Sequence, residues 1–242
     1  MLALMRPVLI LFDVDGTLVD TAGCGRRGIE RAFRVVFGVT DIAAASARVR
    51  FDGKTDPVIV AEIAREAAIG DETLGARRAD LETAYLSALR EELAVPDARR
   101  RVLPGVDALL RNLSAREGVH LGLLTGNTEQ GAFLKLGALG LDRFFEGGGF
   151  ASDDPDRVTI ARVAREKMSR RAGIEFDARG TIVVGDTELD VACARANGYR
   201  AVAVASGWIT LERLRTTGAD AVLPDMGDLD STLRALGLPP TP

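Results

Sequence analysis

The sequence predicts an α/β fold: a parallel sheet covered by helices on both faces, with a mainly helical block inserted after its first strand. Three observations carry this expectation. Short apolar runs rich in Val, Ile and Leu recur along the chain, and their apolarity is continuous rather than alternating, as in strands buried on both faces. The segments between them carry apolar residues at helical spacing, with glycine near their ends. One interval, from about Asp20 to Ala98, breaks the alternation and holds no convincing strand.

Taken in order, "PVLILFDV" (7–14) reads as the first strand. The helix-like stretches "GRRGIERAFRVVFG", "TDPVIVAEIAREAAIG" and "LGARRADLETAYLSALREEL" fill the strandless interval, and "VPDARRRVLPGV" reads as a hinge back, its arginines solvated. "VHLGLLTG" (119–126) is the second strand and "TEQGAFLKLGALGL" a helix; "FFEGGGF" (144–150) is a weaker strand. "GTIVVGD" (180–186), "YRAVAVASG" (199–207) and "DAVLPD" (220–225) complete the strands, with "TELDVACARANG" a helix between the first two. The expected division is an α/β core of residues 1–19 and 99–242 and a helical insert of residues 20–98. No internal repeat or low-complexity tract interrupts it.

Bulk composition narrows the function. With 242 residues, 47% hydrophobic and 27% charged, the chain suits an ordinary globular protein with one sizeable core and a smaller insert. A net charge of −4 and only 5% aromatic residues give no general attraction to nucleic acid or an anionic membrane, and no base-stacking platform. The apolar start "MLALMRPVLILFDVDG" has no charged region before it and no small-residue cleavage site, and it meets Asp13 too early to span a bilayer. A cytoplasmic location and no membrane partner are expected. Cys24 and Cys193, far apart and without metal-ligand spacing, read as small, partly buried thiols of a reducing compartment. Oligomeric state leaves no signal.

The chemistry sits where strands end. In a parallel α/β sheet, ligands bind beyond the carboxyl ends of the strands. The first proposed strand ends in Asp13-Val14-Asp15-Gly16-Thr17, the second in Thr125-Gly126-Asn127-Thr128, the fourth in Gly185-Asp186-Thr187. Asp190 lies four residues beyond Asp186, so a helix starting there would turn both carboxylates the same way. Two aspartates at the end of a buried strand repel each other and are costly to desolvate unless a positive charge offsets them. Three converging carboxylates with no histidine nearby suggest a hard cation held by oxygen, most simply Mg²⁺. A calcium loop fails, because "DVDGTLVDTAGC" has Leu18 where glycine is needed and Cys24 where glutamate is needed.

"FDVDGTLVD", "LLTGN" and "VVGDTELD", in this order, resemble motifs I, II and IV of the haloacid dehalogenase-like superfamily. The helical insert resembles that superfamily's C1 cap, and "FDGKTDPVIVAEI" and "GADAVLPDMGDL" are similar to its phosphoglycolate-phosphatase-like branch. The resemblance covers nearly the whole chain and implies a Rossmann-like core. It implies a Mg²⁺-dependent phosphatase acting on a small phosphorylated metabolite, with Asp13 as nucleophile and Asp15 as acid and then base. Mg²⁺ would be held by Asp13, the Asp15 carbonyl and Asp186, with Asp190 in support. Thr125, Gly126 and Asn127 would hold the phosphoryl group.

The third motif departs from the family, since its usual lysine is missing. The chain has three lysines: Lys135 lies too early, Lys167 sits in mid-helix, and Lys54 falls in the helical insert. Arg157, 28 residues before Gly185, stands near a helix start. Arg157 is the preferred cation, with Lys167 the alternative. Lys54, in "GKTD", is a candidate substrate contact or a solvated lysine, and Trp208, near the rim, is expected to pack or, alternatively, to touch substrate. His120 reads as structural.

Other activities are expected to fit less well. Dehalogenase and phosphonatase relatives lack an aspartate at the position of Asp15. A hexose phosphomutase of the β-phosphoglucomutase type shares the pair but carries a cap histidine, which residues 20–98 lack. A non-catalytic ligand-binding protein on the same scaffold is the reading from another class, although Asp13, Asp15 and Asp186 are all intact.

Overall fold

The computed structural model describes residues 6–240; residues 1–5, where the apolar N-terminal run begins, and 241–242 lie outside the described residues. The chain opens with strand β1 (Val8–Phe12), a sharp turn, and the two-residue strand β2 (Val19–Asp20). Five helices follow: α1 (Cys24–Phe37), α2 (Ile42–Ala47), α3 (Asp56–Glu66), α4 (Asp71–Ala76) and α5 (Arg78–Ala94). The chain returns through β3 (Arg101–Val102) and then alternates: α6 (Val106–Ser114), β4 (Val119–Leu124), α7 (Glu129–Gly137), β5 (Gly148–Gly149), α8 (Arg157–Ala172), β6 (Thr181–Gly185), α9 (Glu188–Ala196), β7 (Arg200–Val204), α10 (Leu211–Arg215), β8 (Ala221–Leu223) and α11 (Leu229–Ala235).

The main sheet has six parallel strands in the order β5-β4-β1-β6-β7-β8. The first strand in sequence is thus central, and its carboxyl end lies beside the ends of β4 and β6. Successive side chains of β1 face opposite ways. Leu9 and Leu11 join Ile160, Ala164, Val191 and Leu214 of the helices on one face. Ile10 and Phe12 join Leu109, Leu110, Leu136 and Leu233 on the other. Burying a side chain of this size stabilises by about 1.5–3 kcal/mol, so both faces fix the strand.

Helices α1–α5 share an apolar core of their own, built on Phe33, Ile42, Ile63, Leu81 and Leu89. The two passages between this helical block and the sheet lie side by side as an antiparallel ribbon, Val19 opposite Val102 and Asp20 opposite Arg101. This ribbon is not foreseen from the sequence: two residues a side are too short to carry periodicity, and the arginines of "DARRRV" read only as hinge. Arg101 pairs with Asp20 at 3.1 Å, and Arg100 donates to the carbonyls of Leu93 and Val95, tying the hinge to the end of α5. Both cysteines are buried and free. Among the described residues no helix is long and apolar enough to cross a membrane.

Candidate active site

Asp13 is the first residue after β1, and its amide still donates to Val184 O (2.9 Å), so the carboxylate is held in sheet register at the rim. The chain then doubles back: Leu18 N donates to Val14 O and Gly16 N to Val19 O, each at 2.9 Å. Gly16 turns this corner at φ 81° and passes so close to Asp186 that a Cβ there would collide with its carboxylate. Gly207 approaches Asp186 in the same way from the β7 side. The glycines make room for an acidic side chain that the fold buries.

Asp186 follows β6, and Thr17 Oγ1 donates to its Oδ1 (3.3 Å). Helix α9 starts immediately after, on a reciprocal cap. Thr187 Oγ1 and N donate to Asp190 Oδ2 (2.6 and 3.0 Å), and Asp190 N donates back to Thr187 Oγ1 (3.4 Å). The cap leaves Asp190 Oδ1 facing the rim. One ligand oxygen from each of Asp13, Asp186 and Asp190 lies within 4.8 Å of the others, and all three residues are buried.

Arg157 opens α8, and Asp156 caps that helix by accepting from Val158 N and Thr159 N. The guanidinium points inward: Nη2 donates to Asp13 Oδ1 (3.2 Å) and to Asp190 Oδ1, while Nη1 donates to Gly53 O (3.1 Å). Its Nε has no hydrogen-bond partner among the described residues. Burial works against this charge, but Asp190 and Asp13 outweigh it and hold the arginine firmly protonated. Lys167 is elsewhere: its ammonium pairs with Asp153 at 2.6 Å.

Asp15 turns away from the acidic cluster. Its Oδ2 accepts from Lys135 Nζ (2.6 Å) and Asn127 Nδ2 (2.8 Å), and Asn127 Oδ1 accepts from the same ammonium (2.6 Å). Thr125 Oγ1 accepts from Asn127 N (3.2 Å) and Nδ2 (2.7 Å), which leaves its own proton to donate. Gly126 meets the helical block directly: its carbonyl accepts from Asp56 N (2.6 Å), and a Cβ there would collide with Lys54 O. Asp56 in turn accepts from Thr128 N (3.0 Å).

Three residues singled out in the sequence make no side-chain hydrogen bond to the acidic cluster. Lys54 gives its ammonium to both oxygens of Glu62 (2.6 and 2.8 Å). Trp208 is 84% exposed, so the expected packing role is corrected: the loop after β7 carries Gly207 against Asp186 and sends the next side chain outward. His120 lies on β4, its ring 5.0 Å from that of Phe176. Lys135, by contrast, reads from the sequence as too early for the third motif, yet it sits at the site. It is buried on α7, and its contacts depend on tertiary packing, so no local pattern announces it.

The electrostatics are unbalanced. The three buried carboxylates Asp13, Asp186 and Asp190 have one cation among them, Arg157, so the cluster is short by the charge of one divalent ion. Burial, then Asp190, pushes Asp13 up to about 7 despite Arg157, and burial with Asp13 and Asp190 pushes Asp186 well above the carboxylate range. An all-oxygen donor set that resists ionisation for want of positive charge fits a hard divalent metal.

This geometry defines the class of molecule: an α/β enzyme whose carboxylates work at the carboxyl edge of a parallel sheet. Comparison with known proteins makes it particular. A sequence profile described as haloacid dehalogenase-like hydrolase matches residues 8–198, and the chain belongs to that family. It is 32% identical over 237 residues to a phosphoglycolate phosphatase of Rhodospirillum rubrum, covering 94% of this chain and 91% of the relative. It is 28% identical over 236 residues to a plasmid-borne phosphoglycolate phosphatase of Cupriavidus necator, covering 96% and 95%. In fold it is similar to CbbY from Rhodobacter sphaeroides in complex with phosphate, with a TM-score of 0.69 at 18% identity over 93% of this chain and 96% of that one. The chain is a phosphoric monoester hydrolase of the phosphoglycolate-phosphatase-like branch.

Proposed function

We propose that the chain is a Mg²⁺-dependent phosphatase hydrolysing a small phosphorylated metabolite, of the phosphoglycolate or sugar-phosphate type, through an aspartyl-phosphate on Asp13. One observation carries this reading. The Asp13 carboxylate is buried against Asp186, Asp190 and Arg157, while Asp15, two residues on, is held apart by a different set of partners.

In the first half-reaction Asp13 attacks phosphorus in line, the bond from phosphorus to the ester oxygen breaks, and Asp15 gives its proton to the departing alkoxide. In the second, Asp15 takes a proton from water as that water attacks phosphorus, releasing inorganic phosphate and regenerating Asp13. Thr125, through its unused hydroxyl proton, the Gly126 amide and Arg157 would bind phosphoryl oxygens where charge develops. Asp13, Asp186 and the Asp15 carbonyl would hold Mg²⁺, with Asp190 fixing Arg157. Bound there, the ion supplies the missing positive charge between nucleophile and phosphate.

Residues 20–98 are proposed as the cap that reads the leaving group. Its loop of residues 52–56 lies on the rim, with Gly53 O on Arg157, Asp56 on Gly126 and Thr128, and Thr55 Oγ1 donating to Pro155 O at 2.9 Å. Phosphate release from a panel of phosphorylated C2–C6 metabolites, with Mg²⁺ and with chelator, tests the reading. Turnover that needs the metal supports it. A folded, metal-loaded enzyme that releases nothing from the panel or from p-nitrophenyl phosphate contradicts it.

A further inference from the structure

Among the buried charged groups of the described residues, one has no part in the scheme above: Lys135. Its side chain is only 6% exposed, in the seam between α7 and the helical block. A buried ammonium is costly without partners, and this one gives two of its three donors to Asp15 Oδ2 and Asn127 Oδ1, both at 2.6 Å. Asn127 closes the triangle by donating to the same Asp15 oxygen at 2.8 Å. Two donors therefore fix one carboxylate oxygen, and among the described residues Asp15 Oδ1 has no hydrogen-bond partner.

The helical block is shaped around this contact. Gly25, in the first turn of α1, passes so close that a Cβ there would come within 3.2 Å of Lys135 Nζ. Tyr85 of α5 packs at the same seam, its ring 3.6 Å from a Cβ built on Gly131. Burial opposes the Lys135 charge, and Asp15 and Asp56 more than restore it.

We infer that Lys135 is a positioning residue: its bridge to Asp15 and Asn127 holds the Asp15 carboxylate in the orientation from which it exchanges protons with leaving group and water. It acts through Asp15 and touches neither phosphate nor metal. The inference rests on the phosphatase reading. General acid–base catalysis contributes on the order of 10²–10⁴ in rate, so losing the orientation of Asp15 forfeits part of that factor.

The test uses the full chain with Mg²⁺, as wild type, Lys135→Met and Lys135→Arg, on p-nitrophenyl phosphate in stopped flow and on phosphoglycolate in steady state. Nitrophenolate leaves with little help from an acid, whereas hydrolysis of the phosphorylated Asp13 still needs Asp15 as base. The Met variant is expected to release a burst approaching one nitrophenolate per active site. Its steady rate then falls by about tenfold or more, KM does not rise, and kcat on phosphoglycolate falls at least as far. The Arg variant recovers part of the loss. A rise in KM, an unchanged kcat, or a loss without a burst overturns the inference. Should the Met variant fail to fold, the same criteria apply to Lys135→Gln, which also removes the charge. Wild-type enzyme inactive on p-nitrophenyl phosphate and on the whole metabolite panel would instead overturn the phosphatase reading itself.

Discussion

Arg157 and Asp13 stand 144 residues apart in sequence, and their side chains meet at 3.2 Å with both almost fully buried. The arginine also contacts Asp190, so one guanidinium spans two carboxylates that would otherwise face each other. Removing one partner of a buried pair leaves uncompensated charge and typically costs about 3–5 kcal/mol. Arg157→Ala is therefore expected to lower thermal stability measurably and to cut kcat by about 100-fold or more, the scale set by losing a phosphoryl-binding cation. Lys167→Ala, which breaks the contacts to Asp153 and to the Phe150 ring, is expected to stay within about twofold of wild type. The reverse ranking would move the phosphate-binding role to Lys167.

Metal binding is expected to depend on pH through Asp13. Burial and Asp190 raise its carboxyl to about 7 in the metal-free site, and a ligand must be ionised to bind. Below about pH 7 the apparent Mg²⁺ affinity therefore weakens, by up to about tenfold per pH unit for each proton displaced, and Asp186, raised as well, adds to the dependence. Calorimetric titration in buffers of different ionisation enthalpy measures the protons released. Binding that stays flat from mildly acidic to mildly alkaline pH and releases none would show that Asp13 is already ionised without the metal.

Asp56 makes a separate pH prediction, about stability. Burial raises its carboxyl to about 6, above the ordinary value of 3.8. Between those two values the folded state binds more protons than the unfolded state, so this group's contribution falls as pH rises through the window and is constant above about 6. Asp56→Asn keeps an acceptor for Thr128 N and removes the titration. Wild-type stability in urea is expected to decline relative to the variant across that window, and parallel curves would contradict the assignment.

The cap of α9 ties stability to the site. Thr187→Ala removes an N-cap worth about 1 kcal/mol, or roughly 2–4 °C in Tm for a chain of this size, and one of the two hydrogen bonds on Asp190 Oδ2, the backbone N–H keeping the other. Both Tm and kcat are expected to fall. A drop in Tm with kcat unchanged would mean that Arg157 and the residue 187 amide suffice to hold Asp190.

How much of this could be read from the sequence varies with the range of the determinant. The rim was legible because strand-end position, not tertiary detail, gathers Asp13, Thr125, Asn127 and Asp186: β1 is central and β4 and β6 flank it. The choice of Arg157 over Lys167 follows from position along the helix. Arg157 is the first residue of α8, and about ten residues at roughly 1.5 Å each carry Lys167 about 15 Å further along the axis. Lys135 was illegible because its partner is set by packing of α7 under the helical block, where Gly25 makes the room. The pairing of Lys54 with Glu62 was not legible either, because the two lie eight residues apart, beyond any local pairing rule.

Asp13 as the nucleophile is the central claim. The most direct measurement is phosphate release by wild type and Asp13→Asn side by side, at saturating Mg²⁺ and substrate, with the fold of the variant checked by circular dichroism. The amide keeps the size and shape of the side chain and removes its nucleophilic oxygen charge. The expected result is metal-dependent turnover by wild type and none above background by a folded variant. Comparable turnover by Asp13→Asn would place the reaction on another residue and contradict the claim.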